Sequence, residues 1–119
     1  MRAFIVDDNR KFRERFAEML IESGLFTEVA TASNVPSARE RLLMERFDIA
    51  IVDVDIAGED GLDLIADLKA KGTNQVFFVM SALPVSDFAA RACWSGAASF
   101  LPKGCPPATI LSALTRAMK

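Results

Sequence analysis

Ile49-Ala50-Ile51-Val52-Asp53-Val54-Asp55 is the stretch that decides the fold. Its first four residues are all apolar, β-branched residues are prominent, and the run stops on a carboxylate. A strand on a one-sided sheet would alternate apolar and polar residues. A continuous apolar run is instead expected of a strand buried on both faces, as at the centre of a parallel sheet. Asp53 then stands where the strand leaves the sheet, and in open α/β sheets chemistry collects at the carboxyl ends of strands.

Similar runs lie on either side. Ala3-Phe4-Ile5-Val6 ends on Asp7-Asp8, and Val76-Phe77-Phe78-Val79-Met80 ends on Ser81. Ala98-Ser99-Phe100-Leu101 is the last strand and Lys103 follows it. Glu28-Val29-Ala30-Thr31-Ala32 is more polar and is expected nearer an edge. Helical patterns separate the strands. Phe12, Phe16, Met19 and Leu20 form the stripe of the first helix, which Asn9 can cap and Ser23-Gly24 stops. Ser33 or Asn34 can cap the second, which has Pro36 in its first turn and Ala38, Leu42 and Leu43 inward. Asp60 caps the third, with Leu62, Ile65 and Leu68 inward. Pro84 opens a fourth running to Ser95-Gly96, with Trp94 on its polar side. Pro106-Pro107 starts a fifth, with Ile110, Leu111, Leu114 and Met118 inward. Strand and helix alternate five times with short connections, so the expectation is a doubly wound α/β domain over residues 1–119, a parallel five-stranded sheet with helices on both faces.

Composition narrows the function. The chain has 119 residues, 51% hydrophobic, with a net charge of −2. That suits one domain with a real core and argues against binding nucleic acid through bulk charge. No apolar stretch approaches the roughly 20 residues needed to span a bilayer. Strand-like sequence begins almost at Met1, leaving no room for a signal peptide. Two cysteines, Cys93 and Cys105, suit a reducing cytoplasmic setting. There is no histidine, which removes His-based triads and His metal sites and makes a structural zinc site a poor fit.

The polar groups at the strand ends are expected along one edge of the sheet: Asp7, Asp8, Asp53, Ser81 and Lys103. Three crowded carboxylates resist ionising together. A divalent cation relieves that cost, and Mg²⁺ prefers oxygen ligands. A lysine on the same rim suits a phosphoryl group as a point charge, and a serine hydroxyl can donate to it. The set points to Mg²⁺-assisted phosphoryl transfer with an Asp that can form an aspartyl phosphate.

With those pieces in this order, the whole sequence resembles the receiver domain of two-component response regulators. The resemblance rests on Phe4-Ile5-Val6-Asp7-Asp8-Asn9, the Asp53 to Gly61 loop, Met80-Ser81-Ala82, and Phe100-Leu101-Pro102-Lys103. It implies a flavodoxin-like sheet of order 2-1-3-4-5 with five helices. Asp53 would be the phosphoacceptor, taking its phosphoryl group from a phosphohistidine on a histidine kinase or phosphotransfer protein. Asp8 and Asp53 would ligate Mg²⁺ with the backbone carbonyl of Asp55, and Asp7 would act mainly through water. Ser81 and Lys103 would bind the phosphoryl group. Phe100 would be the switch aromatic, with the readout on the face of the fourth helix, fifth strand and fifth helix, where a phosphorylation-dependent homodimer would form. Leu83 and Asp55, flanking the site mouth, would slow hydrolysis. The Lys103 to Pro107 segment resembles regulators that carry a helix-turn-helix output domain. Such a domain is a signalling module rather than a turnover enzyme, in the cytoplasm, with no membrane contact and no nucleic acid contact of its own.

Two positions depart from the family pattern. Ala57 stands where a proline is usual, so φ there is less restricted. Gly104 stands where a proline, often after a cis bond, usually follows the lysine. Two alternatives compete. Asp53-Val54-Asp55 also resembles the first motif of haloacid-dehalogenase-type phosphatases, but there the acidic pair comes last and a cap insertion is usual. A binding module that works without phosphorylation would not need every reacting group to be present. Phe12, Phe16, Phe77 and Phe78 read as core, Cys93 as a small buried hydrophobe, and Cys105 as a loop thiol without a role.

Overall fold

The structure, a computed structural model, describes residues 1–82 and 96–118. Strands β1 (Arg2–Val6), β2 (Glu28–Ala32), β3 (Ile49–Asp53), β4 (Val76–Ser81) and β5 (Ser99–Pro102) form one sheet. Its order is β2-β1-β3-β4-β5 and every pair is parallel. The described helices are α1 (Arg10–Glu22), α2 (Val35–Met44), α3 (Gly61–Ala70) and α4 (Pro107–Ala117). The helix expected between Pro84 and Ser95, with Leu83, Cys93 and Trp94, lies outside the described residues.

Burial explains why the strand runs are continuous rather than alternating. All five residues of β3 are buried. Phe4, Val6, Ala50, Val52, Phe77 and Val79 face a core closed by Ala38 and Leu42 of α2 and Leu62, Ile65 and Leu68 of α3. Ala3, Ile5, Ile49, Ile51, Phe78 and Met80 face a second core with Phe16 and Leu20 of α1 and Ile110 and Leu114 of α4. Each central strand alternates between two apolar layers, so Ala3–Val6, Ile49–Val52 and Val76–Met80 are apolar at every position. The edge strand β2 is more exposed, as its polarity predicts. Leu43 is an exception among the expected inward residues. Five residues on from Ala38, it has turned past the buried stripe and is 44% exposed.

The helix starts follow their caps. Asn9 Oδ1 accepts from Phe12 N, Asn34 Oδ1 from Ser37 N, and Asp60 Oδ1 from Leu62 N. The loop after β3 is more ordered than its sequence suggests. Asp55–Ile56 pairs antiparallel with Glu59–Asp60. The two-residue turn between them has Ala57 at φ 54° and Gly58 at φ 85°, the signs of a type I′ hairpin turn.

The candidate acidic phosphoryl site

Register builds the site. Val6 pairs with Val52, so Asp7 and Asp53 follow side by side, with Asp8 one residue on. Asp53 pairs with Met80, and Ser81 pairs with Pro102, which brings Lys103 to the same rim. There Lys103 N donates to Ser81 O at 3.0 Å.

Carboxylate oxygens of Asp7, Asp8 and Asp53 lie within 4.8 Å of one another. Asp7 and Asp53 are buried and Asp8 is exposed. The Lys103 ammonium bridges the buried pair, 2.8 Å from Asp7 Oδ2 and 2.9 Å from Asp53 Oδ2. The remaining contacts orient the carboxylates. Asp7 Oδ1 accepts from Asn9 N at 2.8 Å, and Arg13 Nη1 donates to Asp7 O at 2.8 Å. Asp8 Oδ2 accepts from Ala57 N at 3.0 Å. Asp53 Oδ1 is 3.4 Å from Asp55 N, a long contact.

One ammonium shared by two buried carboxylates leaves each incompletely neutralised. Burial raises the Asp53 carboxyl above its ordinary range, and the Asp7 charge adds to this, while Lys103 opposes both. For Lys103, burial pulls downward, but the bonds to Asp7 and Asp53 more than offset it, and the ammonium is held above its usual value.

These residues fit a small hard cation. All donors are oxygens, and a cation, the Lys103 ammonium, already occupies the space between Asp7 and Asp53. An octahedral ion with bonds of ~2.1 Å spans ~4.2 Å between opposite ligands, within the 4.8 Å reach of the cluster. The Asp55 carboxylate is not part of this group. Its Oδ1 accepts from Gly58 N at 2.9 Å and closes the hairpin. Ser81 is buried at the end of β4. Phe100 is half-buried on β5, against the core shared with α2 and α3.

Three contacts at the site were not anticipated. Proline at position 57 could not donate to Asp8, so the Ala57 departure supplies a bond to the cluster. Phe12, read as core, has its ring centroid 4.5 Å from Lys103 Nζ. The sequence carried no signal for it, because Lys103 lies 91 residues on and is brought to Phe12 only by the fold. The contact of Arg13 with Asp7 had no signal either. The Gly104 departure leaves Lys103 in the site, and no peptide bond among the described residues is cis.

A sheet of this order, with its acids and lysine gathered at the switch between β1 and β3, defines the class, and comparison with known proteins agrees. Residues 3–115 match the response regulator receiver domain family, and the chain belongs to it. Domains of this family are signalling modules. The alginate biosynthesis transcriptional regulatory protein AlgB of Pseudomonas aeruginosa is 30% identical over 106 residues, 89% of this chain and 23% of AlgB. The chain thus spans about a quarter of the length of the curated relatives it matches. The signal receiver domain of the response regulator NarL from Mycobacterium tuberculosis superposes with a TM-score of 0.87 at 25% identity, covering 98% of this chain and 94% of that one. A DNA-binding response regulator of the LuxR family from Staphylococcus aureus superposes with a TM-score of 0.92. At 15% identity, covering 99% and 98% of the two chains, that likeness speaks for the fold alone. Family membership sets the phosphatase alternative aside. No helix among the described residues is long and apolar enough to cross a membrane.

Proposed function

We propose that this receiver domain stores a signal as an aspartyl phosphate on Asp53, taken from a phosphohistidine on a sensor kinase or phosphotransfer protein. The observation that carries the reading is the Lys103 ammonium set between Asp7 and Asp53 beside Asp8. In the transfer, an Asp53 carboxylate oxygen attacks phosphorus and forms the O–P bond. The donor's N–P bond breaks, and the imidazole leaves with the electron pair and takes up a proton. Asp7, Asp8 and Asp53, with the Asp55 carbonyl, would hold Mg²⁺, which supplies charge neutralisation for the phosphoryl oxygens. Lys103 exchanges its Asp53 contact for a phosphoryl oxygen, and the Ser81 hydroxyl turns to donate to another. Attack by water on phosphorus later returns free Asp53 and inorganic phosphate, so the domain sheds its own signal without acting on a separate substrate.

The readout belongs to Ser81 and Phe100. Movement of Ser81 toward the phosphoryl group lets the Phe100 ring follow and biases the face that includes β5 and α4. A ligand shifts an equilibrium only by its differential affinity for the two states, and phosphoryl contacts to Ser81 and Lys103 provide one. That face would bind a second copy or an output domain of the helix-turn-helix class, in the cytoplasm. Incubation with acetyl phosphate and Mg²⁺, read by intact mass, tests the reading. The wild type should gain one phosphoryl mass and Asp53→Asn none. A wild type that gains no mass would instead favour a module that binds without phosphorylation.

A further inference from the structure

Phe12 sits in the first turn of α1, where its amide donates to the Asn9 cap at 3.0 Å. Its half-buried ring stacks on Phe16 at 5.6 Å with 25° between planes, and Phe16 is 5% exposed in the core. Backbone and ring are therefore both fixed before any ligand arrives. The ring centroid lies 4.5 Å from Lys103 Nζ, inside the ~6 Å range over which a ring attracts an ammonium electrostatically.

Lys103 thus has three electron-rich neighbours: Asp7 Oδ2, Asp53 Oδ2 and the Phe12 ring. Two of them are reactive. Cation binding draws on both carboxylates, and Asp53 is itself the attacking group. The ring takes no part in that chemistry, so its attraction for the ammonium persists while the carboxylates are recruited. The backbone gives Lys103 limited further support. Its amide is tied to Ser81 O, but Gly104 follows, and a Cβ there would meet nothing within 4 Å.

We propose that Phe12 is a positioning residue for Lys103. Its ring keeps the ammonium over the site when the carboxylates release it, so that it is in place as the O–P bond forms. This rests on the phosphoacceptor reading of Asp53 and adds a residue to it.

The test replaces Phe12 in the whole chain with phenylalanine carrying one, two and three ring fluorines, which weaken the ring's attraction for a cation with little change of shape. Phosphorylation by acetyl phosphate at saturating Mg²⁺ should slow stepwise with each fluorine, by about tenfold over the series, as a loss of roughly 1.4 kcal/mol would give. Phe12→Trp should keep the wild-type rate and Phe12→Leu should lose at least as much as the trifluoro form. A second readout does not depend on phosphorylation: the Lys103 Cε protons should resonate upfield of an ordinary lysine through the ring current, and the shift should vanish in Phe12→Leu. A flat rate series overturns the proposal, as does an unshifted Cε resonance. A wild type that takes no phosphoryl group overturns the phosphoacceptor reading, and the positioning role with it. The Cε shift then shows separately whether the ring holds the ammonium.

Discussion

Gly61 opens α3 where the helix passes against the backbone of Asp53. A Cβ built there would lie 1.8 Å from the Asp53 carbonyl oxygen and 3.0 Å from Val52 Cγ1. Carbon atoms do not approach a backbone oxygen so closely, so in Gly61→Ala something must move by more than ~1 Å. Neither side yields easily. Asp53 O belongs to the central strand, and Gly61 N donates to Val54 O at 2.8 Å. Overpacking of this kind costs about 1–3 kcal/mol. At ~2.1 cal/mol/K of unfolding entropy per residue, the 119 residues give ~0.25 kcal/mol/K, so ~2 kcal/mol lowers Tm by ~8 °C. The same displacement misaligns Asp53, and ~1 Å at a reacting group can slow a reaction by ~10²-fold. Gly104→Ala is the internal control. Nothing lies within 4 Å of its Cβ and its φ is not positive, so the loss of unfolded-chain freedom should stabilise by about 0.4–1 kcal/mol. Thermal melts of the two variants should shift in opposite directions, and acetyl phosphate labelling should slow in Gly61→Ala but not in Gly104→Ala. Gly61→Ala melting within ~2 °C of wild type, with unchanged labelling, would refute the close approach.

Three further perturbations test the charge and the hairpin. Burial raises the folded-state carboxyl of Asp53, so its contribution is most favourable below the unfolded value of 3.8 and is lost as pH rises through the folded value. Asp53→Asn should therefore melt higher than wild type at pH 7 without divalent ions, with the gap closing toward pH 4; melts across pH read this directly. Lys103→Met leaves two buried carboxylates without their shared cation. The cost should lie at the lower end of the ~3–5 kcal/mol for breaking a buried pair, because the Lys103 side chain is 20% exposed. Mg²⁺ at a hundredfold excess over its Kd should restore ~2.7 kcal/mol, seen as a Tm rise with added Mg²⁺. At Ala57, the left-handed φ of 54° costs about 1 kcal/mol or more, so Ala57→Asn should raise the urea midpoint. Ala57→Pro cannot reach that φ and removes the donor to Asp8, and should lower it.

The fold was legible where burial imposes a pattern. The runs Ala3–Val6, Ile49–Val52 and Val76–Met80 within β1, β3 and β4 are unbroken because each is covered on both faces, and an aspartate directly follows Val6 and Val52. Their pairing, Val6 with Val52, turns two sequence coincidences into one cluster. The Asn9, Asn34 and Asp60 caps were legible because their side chains act locally. What escaped notice depends on contacts between distant segments. The Asp55–Asp60 hairpin has two-residue strands and an Ala-Gly turn, too short and too weak a signal to register. The grip of Ala57 on Asp8 spans 49 residues and follows from that hairpin. Phe12 looked like an ordinary core aromatic because its stripe partners, Phe16 and Leu20, are core. Only the three-dimensional position of Lys103 shows what its ring faces.

The central claim is that Asp53 itself carries the phosphoryl group. An acyl phosphate is reduced by borohydride to the alcohol, whereas a free carboxylate is not. After treatment with acetyl phosphate and Mg²⁺, borohydride reduction and peptide mass mapping should find homoserine at position 53. Asp7, Asp8 and Asp55 should remain aspartate. Reduction at any of those three, or a phosphorylated protein with an intact aspartate at 53, would contradict the account.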